Sequence, residues 1–138
     1  MANNLSNYLE AALLNHHLGG SATLTKPATV YFALFTVTPS DSGGGTECVG
    51  TDYARVGLTN NSTNFPAASS SVITLSADVT FPTAGALGTA WGTIVAWGLF
   101  DASTSGNLLW WGPVATSKTV AVGDVVKFPS GSITFTLD

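Results

Sequence analysis

The sequence predicts a mainly β fold, an antiparallel β-sandwich of jelly-roll type with one N-terminal α-helix. Three observations lead to this class. Apolar residues recur at helical spacing only before Gly20. Beyond it, runs of β-branched and aromatic residues alternate with turn residues. A length of 138 residues is typical of one domain. We therefore expect a single domain over 1–138, with residues 1–20 as arm and helix and residues 21–138 as the sandwich.

One apolar stripe near the N-terminus predicts the helix. Asn3, Asn4 and Ser6 are candidate N-caps. Gly19-Gly20 ends the segment, because glycine accepts the left-handed conformation that follows a helix. A helix of about 14 residues is marginal alone in water, so we expect it to lie on the sheet. The stripe consists of Leu5, Leu9, Ala12, Leu13 and His16.

A series of short strands is predicted after Gly20. The last of them alternates apolar and polar residues, which indicates one face in solvent. Segments 101–107 and 121–126 are predicted as tight connections, the second turning at Gly123-Asp124. Short strands joined in this way favour an antiparallel sandwich. The predicted ranges are 29–37, 53–58, 72–75, 79–81, 93–100, 108–111, 119–122 and 132–137.

Two of these strands are apolar on both faces. Alternate side chains of a strand point to opposite sides of the sheet, and neither set is polar enough for water in 29–37 or in 92–100. We expect the N-terminal helix to cover the second face of 29–37. One short helix cannot cover both strands, so we expect the remaining apolar surface to form a subunit interface. The two sets of 92–100 are Ile94, Ala96 and Phe100 on one face, and Val95, Trp97 and Leu99 on the other.

Two low-complexity segments interrupt the strands. The segment 38–52 contains three consecutive glycines and is costly to order, and 60–71 is similar in composition. Each is either a contact arm that settles against a partner or a loose surface loop. The single cysteine, Cys48, lies in the first segment and is interpreted as a small loop residue, because nothing near it in sequence would lower its pKa.

The charge pattern excludes several classes of partner. Only 9% of the residues are charged and the net charge is −4. The four cations, Lys26, Arg55, Lys118 and Lys127, are scattered, so we expect no binding of nucleic acid or of anionic membranes. No signal peptide and no long apolar run is visible. We therefore expect synthesis in a cytoplasm and a surface suited to packing against other protein.

The sequence contains no constellation of catalytic residues. His16 and His17 are consecutive, so on a helix they diverge and are not expected to share a metal. We interpret His16 as packed and hydrogen-bonded, and His17 as exposed. The acidic residues are single, and those of segment 38–52 lack the spacing of a calcium-binding loop. We expect no enzymatic activity, no metal and no cofactor.

The four tryptophans leave two interpretations open. Trp110 and Trp111 are consecutive, so on a strand one points inward and the other outward. The outward ring is expected to join a core or an interface, where tryptophan is enriched. The alternative is a sugar-stacking platform. The other two tryptophans are Trp91 and Trp97.

Four segments carry a resemblance to a known family: "NLSNYLEAALLNHHLGG" (4–20), "KPATVYFALFT" (26–36), "WGLFDAS" (97–103) and "GNLLWWGPV" (106–114). They resemble small virion proteins of tailed phages that are often labelled tail fibre proteins. The chain is also similar to capsid decoration (cement) proteins, which are usually trimeric. The resemblance implies a virion location, a β-sandwich and a multimer, and it brings no catalytic residues.

These observations lead to two functional hypotheses. The first is a capsid decoration protein that stabilises the head shell, with itself, as a homotrimer, and the major capsid protein as partners. The alternative is a tail fibre or tail-tip component that binds a host surface glycan. The short chain without coiled-coil heptads favours the first. The candidate contact residues are Leu5, Leu9, Leu13, Tyr31, Phe35, Trp97, Trp110 and Trp111.

Overall fold

The computed structural model describes residues 4–20, 24–85 and 90–137. The fold is mainly β, with 41% strand and 9% helix, and every strand pair is antiparallel within these residues. It is consistent with a β-sandwich, so the predicted fold class is confirmed. The elements in chain order are β1 (Asn4–Leu5), α1 (Asn7–His17), β2 (Thr29–Val37), β3 (Thr46–Glu47), β4 (Val56–Thr59), β5 (Val72–Thr74), β6 (Val79–Thr80), β7 (Gly92–Phe100), β8 (Leu108–Val120), β9 (Lys127–Phe128) and β10 (Thr134–Thr136).

One six-stranded sheet organises the chain. Its order is β1-β8-β7-β2, and the far edge of β2 is shared by β4 at its start and β3 at its end. Two further ribbons, β5 with β10 and β6 with β9, complete the strand pairing of the described residues. The bounds of β2 coincide with the predicted segment 29–37.

The main core lies between the sheet and the two ribbons. Val30, Phe32 and Leu34 of β2 pack there against residues from both ribbons, including Phe128 and Phe135. Phe32, Phe128 and Phe135 make edge and tilted contacts with neighbouring rings, with centroids 5.8 to 6.3 Å apart. This is the buried face that the apolar pattern of β2 requires.

The opposite face of the sheet, which we call the second face, is closed by the chain's own side chains. Phe35 and Phe100 stack with ring centroids 6.2 Å apart, and both lean over Gly98, where an added Cβ would lie 2.8 Å from the Phe35 ring. Ala33 and Ala96 are completely buried beside them. The expectation that α1 covers this face is wrong, and the argument that uncovered strands must form a subunit interface loses its basis.

Irregular pairing between β7 and β8 changes which side chains share a face. Ile94 and Ala96 of β7 lie opposite Lys118 and Pro113 of β8, so β8 has the extra residues at this point, and an irregularity of this kind re-aims the residues around it. Ile94 therefore joins Trp97 and Leu99 in the main core, while Val95 packs on the second face. The strict alternation predicted for 92–100 is wrong at this point.

The helix lies against β8 and β1, at the end of the sheet. Ser6 is the N-cap and accepts a hydrogen bond from the N–H of Leu9 at 3.3 Å, and Gly19 follows the helix at φ +81°, both as predicted. No residue of α1 is buried, and Leu5, the first residue of the predicted stripe, is in β1 instead. The short arm pairs Asn4 with Trp111 and Leu5 with Trp110.

Strand β8 is longer than the predicted strand 108–111, because it continues through Pro113 to Val120. Pro113 lies opposite Ala96 of β7. The predicted separate strand at 119–122 is thus the end of β8. The predicted connections 101–107 and 121–126 are confirmed as turns.

Candidate functional site

A cleft of about 460 Å³ opens above the second face, and we call it the glycine-loop cleft. Its walls are the start of α1, the loop 40–45 and the turn 101–107. Phe35 and Phe100 line it together with polar side chains from all three walls. The volume is within the range of small-molecule sites, roughly 300 to 1,000 Å³.

Arg55 fixes the position of one wall. Its Nε and Nη2 donate to the two carboxylate oxygens of Glu47 at 2.8 and 2.7 Å. Its Nη1 donates to the carbonyls of Ala102 and Ser105 at 2.9 and 2.8 Å. The guanidinium also lies 3.6 Å from the centroid of the Phe100 ring, a cation–π geometry. One side chain thus joins β3, the start of β4 and the turn 101–107 over the second face.

Tyr53 extends this network to the edge of β2. Its hydroxyl donates to Glu47 Oε1 and accepts from the N–H of Leu34, both at 3.0 Å. Burial raises the pKa of Tyr53 far above its ordinary value; the Leu34 N–H opposes this and Glu47 adds to it. The hydroxyl therefore accepts the hydrogen bond that a neighbouring strand would otherwise accept from Leu34, at the point where the strand paired with β2 changes from β4 to β3.

The glycine loop has a defined conformation. Ser40 and Gly43 exchange two backbone hydrogen bonds of 2.9 Å each. Gly43, Gly44 and Gly45 have φ values of +90°, +76° and +72°, a region that favours glycine. At Gly45 an added Cβ would also lie 2.6 Å from the carbonyl oxygen of Val37. These glycines are therefore required by the backbone path and are not a sign of disorder.

Two hydrogen bonds to Asp41 attach the loop to the rest of the protein. The N–H of Asn7 donates to the carbonyl of Asp41 at 2.7 Å, and the Trp111 indole N–H donates to Asp41 Oδ1 at 3.1 Å. The buried Ser6 hydroxyl donates to the carbonyl of Leu108. These bonds hold together the start of the helix, the glycine loop and β8. The segment 38–45 therefore contacts its own chain.

The predicted contact residues are spread over both faces. Phe35 and Trp97 are buried, Phe35 in the second face and Trp97 in the main core. The remaining six are half-buried, and among them Trp110 packs against Phe135 with centroids 5.5 Å apart. Trp110 and Trp111 do point to opposite faces. The contact role of the set stays a prediction.

The described residues show no constellation for metal or thiol chemistry. Within residues 4–20, 24–85 and 90–137, no group of three His, Cys, Asp or Glu side chains could hold a metal ion. Burial raises the pKa of the Cys48 thiol to about 11, with Glu47 adding to the shift. His17 is exposed as predicted. His16 is exposed too, so its predicted packing is wrong, but its Nδ1 accepts a hydrogen bond from the N–H of Leu24 at 3.4 Å, as predicted. Its ring lies 5.1 Å from that of His17, edge to face. Of the helices in the described ranges, none is long and apolar enough to span a bilayer.

Sequence reasoning missed Arg55 and Tyr8. Arg55 carried one signal: it is one of four cations in the chain, and it stands beside an apolar strand. Such an isolated cation is almost never buried without a paired anion. Tyr8 lines the cleft and is 47% exposed. It is outside the apolar stripe of the helix, so nothing in the sequence pattern pointed to a role for it.

A family model described as "Podophage GP4 fiber I protein gp80" matches residues 4–136. The chain belongs to this family. The predicted resemblance to fibre-type virion proteins is confirmed, and the match includes the middle of the chain as well as its ends. As a member of the fiber I family, the protein is a phage structural protein and part of the virion. A comparison with curated proteins gives no match.

Proposed function

We propose that the protein is a non-enzymatic subunit of a phage fibre and that it associates with copies of itself through the outer face of α1. The match of residues 4–136 to the fiber I family supports the fibre. The observation that carries the self-association is the exposure of two leucines on this helix.

The outer face of α1 consists of Ala11, Leu14 and Leu18, which lie on one side of the helix at 100° per residue. Leu14 is 60% exposed and Leu18 is 79% exposed. A helix normally turns its leucines toward the core, whereas here only the other side of α1, with Leu9, contacts the main core. The face contains no charged residue, and Glu10 lies at its border.

A second copy of the chain is the partner we propose for this face. The net charge is −4, so like copies repel one another at most surfaces. A neutral apolar strip allows close approach without pairing like charges. A homotrimer in which three copies of α1 pack against one another would bring only these neutral strips together. A homotrimer is also the assembly that the family resemblance implies.

Solution mass measurements test the association. We expect a concentration-dependent multimer for the wild type and a monomer for the double variant Leu14→Ser/Leu18→Ser. At dilutions where the wild type is itself monomeric, thermal unfolding should be the same for both, because neither leucine is buried. Val49→Ser is the matched control, since Val49 is 77% exposed on a different surface. A monomeric wild type at high concentration, or a double variant that still assembles, contradicts the proposal.

Capsid decoration is the second candidate. The observation that favours it is the compact architecture: the described residues contain an 11-residue helix and no element long enough for a shaft. Labelled antibody against the protein distinguishes the two candidates in images of virions. Label at the tail supports the fibre, and label spread over the head supports decoration. In the second case we expect virions lacking the protein to assemble but to burst at a lower temperature.

A further inference from the structure

We propose that the glycine-loop cleft binds a neutral saccharide. This proposal concerns a surface other than the outer face of α1, so its test does not depend on the outcome of the test of self-association. It begins from the chemistry of the lining, which combines aromatic rings with carboxylate, amide and hydroxyl groups.

The aromatic part of the site is the ring of Tyr8. It is 47% exposed and lies in the first turn of α1, between the cleft and a second hollow that Leu9 and Pro27 also line. The turn that carries it is fixed by the hydrogen bonds of Ser6 to Leu108 and of Asn7 to Asp41. The apolar face of a pyranose ring packs well on an aromatic ring held in this way, since ordering the site costs little on binding.

The polar part of the site consists of short side chains and backbone. Asp41 and Glu47 present carboxylates to the cleft, and Asn7 and Asn107 present amides. Carboxylate oxygens accept charge-assisted hydrogen bonds from hydroxyl groups. The Trp111 indole holds Asp41 by one oxygen, and Arg55 holds both oxygens of Glu47. Both acceptors are thus oriented before a ligand arrives.

The charges select against acidic ligands. Two carboxylates line the cleft, and the one cation in its lining, Arg55, is engaged by Glu47 and by two carbonyls. A uronic acid or a phosphate group would meet carboxylates and no available cation. A neutral sugar places hydroxyl donors against these acceptors and is the ligand class that fits.

Titration of the full chain tests the proposal. The probes are cellobiose, maltose, lactose and diacetylchitobiose as neutral disaccharides, with digalacturonic acid and sialyllactose as acidic counterparts. We expect saturable binding of at least one neutral probe, with amide shifts at Gly43 to Gly45 in nuclear magnetic resonance spectra. Tyr8→Ala should weaken that binding about tenfold or more, as removal of a central aromatic contact does. Asp41→Asn should weaken it several-fold.

Val49→Ala is the matched control, because it removes an exposed apolar side chain that lies outside both the cleft and the outer face of α1. It should leave the affinity unchanged, and the thermal unfolding of each variant verifies its folding. Three results overturn the proposal: no binding of any neutral probe at millimolar concentration, tighter binding of an acidic probe, or undiminished binding by folded Tyr8→Ala.

Discussion

The two faces of the central sheet are closed in different ways. The main core is formed by many large side chains from the sheet and both ribbons. The second face has five buried residues, and one ion pair covers part of it. The main core is a large assembly of mainly apolar side chains, whereas the second face depends on a few specific contacts. This difference explains why the cleft, with its polar groups, is above the second face.

Truncation in the main core should have the largest effect. Phe32 is completely buried and contacts Trp97 with ring centroids 6.2 Å apart. Phe32→Ala removes this packing and leaves a cavity, so we expect it to lower the free energy of unfolding by about 3 to 5 kcal/mol. Urea unfolding followed by tryptophan fluorescence measures the loss. A loss below about 1 kcal/mol would mean that the main core is not the principal source of stability.

Removal of the ion pair tests the second face. Glu47→Ala leaves the Arg55 guanidinium, whose side chain is 7% exposed, without its anion. We expect a loss of about 2 to 4 kcal/mol, because breaking a buried pair leaves an uncompensated charge. The same urea experiment measures it.

Lys127→Ala is the matched control for the ion pair. It breaks the pair between Lys127 and Asp78, where both side chains are about half exposed, so we expect little or no change. The Lys127 ammonium and the Ser130 N–H also lower the pKa of Asp78. Equal effects of the two substitutions would contradict the special role of Arg55.

Substitution of Gly98, which lies under the rings of Phe35 and Phe100, should have a smaller effect on stability. In Gly98→Ala the added methyl meets the Phe35 ring at 2.8 Å and Leu108 at 3.0 Å. We expect a loss of about 1 to 3 kcal/mol from overpacking. Thr93→Ala, at an exposed position of the same strand, should change stability by less than about 0.5 kcal/mol. Thermal unfolding compares them, and an unaffected Gly98→Ala would show that the rings do not pack closely on the strand.

Alkaline pH should have the most gradual effect. The folded chain holds the protons of Tyr53 and Cys48 more tightly than the unfolded chain, because both pKa values are raised. Stability is therefore complete below about pH 9 and falls as the pH rises from 9 toward 11. Tyr53→Phe should reduce the slope above about pH 10, the ordinary pKa of tyrosine. Urea unfolding across this range measures it, and an unchanged slope would contradict the burial of the hydroxyl.

The sequence predicts the features that depend on neighbouring residues. Apolar runs mark β2 and β7, and Gly19 marks the end of α1, because these signals act within a few positions. The face of Ile94 and the placement of α1 were predicted wrongly, since irregular strand pairing and a docking site depend on distant strands. Arg55 reaches Ala102 and Ser105, which are 47 and 50 positions away. No local pattern encodes a cleft whose walls come from three such segments.

The hydrogen bond between Ser6 and Leu108 spans 102 positions of the chain. During translation, the segment that becomes α1 therefore leaves the ribosome long before the strand that receives it exists. The helix is short and has no fully buried side chain even in the finished protein, so it has little reason to persist in the meantime. The residues at the start of α1 thus reach their final place only after β8 has been made, and the wall that they contribute to the cleft forms no earlier.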